Sequence, residues 1–83
     1  MNLINNPYKV VTYFGIEVTV PDDVQWIAID EDGEVYGYPY GDVECYGEDG
    51  YFWNGRYDAY SLGSLQNIPR SFNWKKSLVY VGD

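Results

Sequence analysis

The stretch Trp26-Ile27-Ala28-Ile29-Asp30-Glu31-Asp32-Gly33-Glu34-Val35-Tyr36-Gly37-Tyr38-Pro39-Tyr40 decides the fold class. Its first four residues make an apolar run, too short for a helix and rich in branched and aromatic side chains, as a buried strand requires. Asp32-Gly33 follows, a pair that accepts the positive φ of a tight turn. Beyond the turn a tyrosine returns at every second position (Tyr36, Tyr38 and Tyr40), which is the period of a strand. The segment therefore reads as two antiparallel strands, and Trp26 to Ile29 reads as the central strand of the sheet.

The same signals extend in both directions. Upstream, Tyr8 to Phe14 and Ile16 to Val20 are β-branched and aromatic, with Gly15 suited to a bend between them. Downstream, Val43 to Tyr46 reads as a strand between possible turns at Gly41-Asp42 and Glu48-Asp49-Gly50. Asn54-Gly55 matches a type I′ hairpin turn, which would set Trp53 opposite Arg56 and Phe52 opposite Tyr57. Residues 61–67 read as a loop or one short helical turn, the residue before Pro69 is driven out of helix, and Ser77 to Val81 reads as a last strand. The expectation is a single all-β domain over residues 1–83, a small twisted antiparallel sheet of meander type or a partly closed barrel. A short helical turn near 61–67 is its one helical feature.

With 83 residues, the apolar area buried on folding and the conformational entropy lost nearly cancel, at about 125 kcal/mol each. Stability then rests on large side chains, and 16 of the 83 residues are aromatic. Trp26, Trp53 and Trp74 read as core, and Cys45 as a small apolar core residue. A chain without His has no imidazole relay, imidazole metal ligand or neutral-pH imidazole switch. One cysteine forms no internal disulfide. The start Met1-Asn2-Leu3-Ile4 lacks a signal-peptide pattern and no apolar run approaches the ~20 residues of a membrane span, so a soluble cytoplasmic protein is expected. No cofactor is expected.

The net charge of −8 is unevenly distributed. Residues 17–58 carry twelve acids and one base, for −11, while the rest of the chain sums to +3. Direct nucleic-acid binding is disfavoured, because it needs Lys and Arg to neutralise phosphates. A basic protein surface is the complementary partner. In an up-and-down meander alternate turns lie at the same end, so the turns at 31–33 and 48–50 should gather Asp30, Glu31, Asp32, Glu34, Glu48 and Asp49 into one patch. Tyr36, Tyr38 and Tyr40 share one face of their strand and read either as core or as anchors beside those acids, with Val35, Gly37 and Pro39 as a thin outer face.

Competing readings of the acids are weaker. A calcium loop needs Gly at its sixth position and Glu at its twelfth, whereas Gly33 falls fourth from Asp30 and no matching Glu follows. Thirteen carboxylates guarantee some pair at glycosidase spacing, and a domain of this size offers little enclosure for a substrate, so no enzymatic activity is expected. Two alternatives from other classes stay open. One is a protein that binds or sequesters a nucleotide or sugar through aromatics and carboxylates; the other is a structural or assembly protein of a virion.

The order Trp26-Ile27-Ala28-Ile29-Asp30-Glu31-Asp32-Gly33, then Trp53-Asn54-Gly55, Leu62-Gly63 and Asn73-Trp74-Lys75-Lys76-Ser77-Leu78 resembles small uncharacterised proteins encoded by tailed bacteriophages, over roughly residues 24–81. That resemblance implies a small phage protein made in the host bacterial cytoplasm, and no catalytic residues. Phages encode short acidic inhibitors of restriction systems, CRISPR complexes and DNA-repair nucleases, which present carboxylates where phosphates bind. The expected function is stoichiometric inhibition of a host defence or nucleic-acid-processing protein by DNA mimicry, with the six acids as electrostatic contacts and the three tyrosines as anchors.

Overall fold

The computed structural model describes residues 8–39, 43–46, 50–54 and 59–82, with the backbone alone at Tyr46, Trp53 and Asn54. Among the described residues there are eight strands: β1 (Tyr8–Tyr13), β2 (Ile16–Pro21), β3 (Trp26–Ile29), β4 (Glu34–Tyr38), β5 (Val43–Tyr46), β6 (Tyr51–Asn54), β7 (Tyr60–Ser64) and β8 (Val79–Tyr80). All pair antiparallel, and they form a four-stranded sheet in the order β7-β4-β3-β8 with two separate hairpins, β1-β2 and β5-β6. The chain is all-β, with one short 3-10 turn among the described residues.

That turn is at Trp74–Lys76 and not near 61–67, where Tyr60 to Ser64 form β7. Asn73 caps it, its Oδ1 accepting from the Lys75 N–H at 3.1 Å. The order also departs from a simple meander. β5 pairs with β6 instead of returning to β4, and β7 takes the place beside β4. The hairpin register expected around Asn54-Gly55, and the turn at Gly41-Asp42, lie outside the described residues.

Trp26 to Ile29 is central, as its unbroken apolar character requires, because the sheet is covered on both faces. On one face Ile27, Ile29 and Val35 pack with Tyr13 and Val20 of the β1-β2 hairpin and with Val24. On the other, Ala28 and Tyr38 pack against Phe52 of β6, with Trp26, Trp74 and Leu78 partly buried around them. Val35 and Gly37 are therefore not a thin outer face. A Cβ on Gly37 would come within 3.1 Å of both Val24 methyls and 3.2 Å of Leu62, so any larger residue would push those side chains back from β4 by a few tenths of an ångström.

Two further expectations are corrected. Cys45 is exposed, because β6 and not β5 approaches β3 and leaves β5 as the outer strand. The last strand is short: Val79 and Tyr80 pair with Ile27 and Trp26, and toward Ser77 the backbone ladder then stops. Its next pairing is made by a side chain. Ser77 Oγ accepts from the Ile29 N–H at 2.8 Å and donates to the Ile29 carbonyl at 3.1 Å, both buried. Its own carbonyl accepts from the Tyr13 hydroxyl at 2.7 Å.

The β1-β2 hairpin lies along the face of the sheet that carries Ile27, Ile29 and Val35. Its strands are joined by a two-residue turn at Phe14-Gly15, with φ of 48° and 77°, the positive pair that defines a type I′ turn. Tyr13, next to the turn, and Val20, toward the other end, are buried, with Val11 and Val18 partly buried between them.

Candidate functional site

The acidic turn is built from Asp30 outward. The Asp30 N–H donates to the Glu34 carbonyl, and the Asp30 carbonyl accepts from the Gly33 N–H, both at 2.9 Å. Gly33 takes φ of 89°, and Asp32 Oδ1 accepts from the Glu34 N–H at 3.0 Å, which closes the turn in the manner of an Asx motif. Gly33 in turn accepts from the Leu65 N–H at 2.9 Å, fixing the turn to the segment that follows β7.

Two bonds hold the β5-β6 hairpin against this turn. The Phe52 N–H donates to Asp30 Oδ1 at 2.8 Å, and the Glu31 N–H donates to the Gly50 carbonyl at 3.0 Å. The turn at 31–33 and the chain entering β6 thus meet. They do so because the hairpin folds across the sheet, and not through the alternation of turns in a meander.

Of the acids named from the sequence, Asp30, Glu31, Asp32 and Glu34 are brought together. Glu31 and Asp32 are exposed, whereas Asp30 and Glu34 are half-buried. Glu34 Oε1 accepts from Ser64 Oγ at 3.2 Å. Glu48 and Asp49 lie outside the described residues, as does Tyr40. Tyr38 is core, 3% exposed, its hydroxyl donating to the Phe52 carbonyl at 3.4 Å, so it presents nothing to a partner. Tyr36 is half-buried beside the acids.

The electrostatics follow from this packing. Burial raises the Asp30 carboxyl above the usual aspartate range, the Phe52 N–H partly offsets that, and the charges of Asp32 and Glu34 raise it further. Burial also raises the Tyr36 phenol, and Asp30, Glu34 and Asp32 add to the effect. A negative field is therefore concentrated at this end of the sheet. No group of three or more Cys, Asp and Glu side chains among the described residues is gathered closely enough to hold a metal ion.

Beside the turn lies a cleft of about 300 Å³, lined by Asp30, Glu31 and Asp32 on one side and by Arg70, Phe72 and Trp74 on the other. Trp74 is held edge-on against Phe52 at 5.8 Å, with Lys75 Nζ 6.0 Å from its ring centre. The segment Leu65 to Phe72 that forms this wall carries no periodicity, which is why its residues escape a reading by pattern. The one available signal is Phe14, an aromatic where a type I′ turn favours Asn.

No protein-family model, curated protein or solved structure matches the chain. No helix among the described residues is long and apolar enough to cross a membrane.

Proposed function

We propose that the protein is a phage-encoded acidic inhibitor. It binds a host defence or nucleic-acid-processing protein stoichiometrically, in the host cytoplasm, and sets carboxylates on a basic surface where phosphates would lie. The observation that carries this reading is the turn Asp30 to Glu34, fastened to β6 so that Glu31 and Asp32 stay exposed on a scaffold that cannot drift away from them. Carboxylates fixed in this way bind a Lys- and Arg-lined channel without the ordering that a mobile acidic tail would require. Tyr36 supplies a partly exposed phenol at the same place, suited to an arginine plane.

The test is a pull-down from bacterial lysate across a salt series. A basic nucleic-acid-processing protein should be recovered and lost as ionic strength rises. Glu31→Lys with Asp32→Lys should abolish recovery, and Asp22→Lys with Asp23→Lys should leave most of it. Equal losses from the two pairs would mean that net charge alone is responsible, and the reading would fail.

A further inference from the structure

The tip of the β1-β2 hairpin combines features that folding alone does not explain. Phe14 sits at φ 48°, a left-handed conformation that a bulky side chain rarely takes. Burial does not compensate for it, since the residue is 55% exposed. Its ring is nonetheless held in place, edge-on to Tyr13 at 4.7 Å and to Phe72 at 5.9 Å. Ile16, at the other end of the turn, is 47% exposed.

Phe14 and Ile16 form one wall of an apolar groove of about 200 Å³, with Ile68, Pro69 and Phe72 opposite. The groove shares Ile29, Leu65, Ile68, Pro69 and Phe72 with the cleft that ends at Asp30, Glu31 and Asp32, so the two adjoin along that wall. Both are open to solvent along their length rather than enclosed as a small-molecule cavity is. They suit side chains projecting from a partner. One end is apolar, and the other sets Asp30, Glu31 and Asp32 in a cleft whose lining includes a single base, Arg70, which leaves it net acidic and complementary to a cation.

We infer that this groove docks a segment of a basic protein partner, with an aromatic or branched side chain seated between Phe14 and Ile68 and a neighbouring Lys or Arg on Asp30 to Asp32. The inference rests on the inhibitor reading and adds to it an apolar anchor. Phe14 is kept in a strained, exposed state in the free protein because it is contact surface in the complex.

The probe is a short capped peptide with one tryptophan between arginines, titrated into the full chain and followed by NMR shifts. Saturable shifts are expected at Phe14, Ile16, Ile68 and Asp32. Phe14→Asn removes the anchor and supplies the residue this turn prefers. It should lower affinity at least about tenfold while the thermal midpoint stays equal or rises. Ile16→Thr, which keeps the strand propensity, should weaken binding in the same way. No saturable binding, equal binding after tryptophan is replaced by serine, equal binding after the arginines are replaced by glutamate, or wild-type affinity in both variants would each overturn the inference. The lysate target separates the two readings. If it is retained by Phe14→Asn but lost with Glu31→Lys and Asp32→Lys, the groove fails and the inhibitor reading stands.

Discussion

Ser77 has no exposed surface, and every polar group it carries is engaged. As the residue closing the 3-10 turn it has αR backbone and donates its N–H to the Trp74 carbonyl at 3.0 Å, so it cannot also continue the β8 ladder. Its hydroxyl does so instead, accepting and donating at Ile29 as a paired strand residue would. Tyr13 closes the arrangement from the hairpin side, and burial pushes its phenol up to about 12, against the smaller lowering effect of its bond to Ser77. Ser77→Ala should therefore strand the Ile29 N–H and carbonyl in a dry core. The expected loss is about 2–3 kcal/mol, read as a lower urea midpoint with unchanged slope. A loss below about 0.5 kcal/mol would mean that water or a backbone shift replaces the hydroxyl.

At the scale of elements, what turns require decides where each strand ends. The Asp30 to Gly33 turn needs a positive φ at its last residue, and Leu65 and Ile68 press on that residue from outside, with Leu65 O 3.1 Å from where a Cβ would stand. Gly33→Ala should cost about 1–2 kcal/mol in chemical denaturation, and it should also loosen the Leu65 to Phe72 wall. The same amide exchange rates at Leu65 in variant and parent would show that the wall is held some other way. Such turns, the alternation of Tyr36 and Tyr38, and the apolar run at β3 express their structure through local preference, and the all-β class follows from them. Pairing between distant strands does not. Nothing near Val43 reveals that β5 will prefer β6 to β4, because both pairings satisfy the same alternation, and only the covering of Ala28 and Tyr38 by Phe52 separates them. The acidic turn is likewise apparent from sequence, whereas the groove beside it is not. Its walls come from a hairpin tip and an aperiodic segment far apart in sequence, joined in the fold by contacts such as that of Phe14 with Phe72.

For the molecule as a whole, the extents of 50 × 28 × 22 Å describe an elongated body, and Asp30, Glu31, Asp32 and Glu34 stand together at one end of its four-stranded sheet. Like charges held together there oppose folding. Asp30 has a raised pKa in the folded state, so its contribution to stability is present while the group is protonated and is lost as pH rises through that folded value. Asp30→Asn keeps an oxygen for the Phe52 N–H and removes the charge. It should raise stability by up to about 0.5 kcal/mol at neutral pH, after allowance for solvent screening, and by nothing in acid. Urea midpoints at the two pH values give the answer, and a gain that persists in acid would refute the electrostatic cause. Partner affinity should fall in the same variant, so the charge that weakens the fold would be the charge that serves binding. Cys45 offers a direct way to watch that exchange. Its thiol is exposed on β5 and lies within the influence of both Lys75 and Asp30, with burial and Asp30 raising its pKa and Lys75 lowering it. A fluorophore coupled there in mildly alkaline buffer would occupy one defined position per molecule, without mutagenesis, and its emission would register the arrival of a cationic surface at the neighbouring turn.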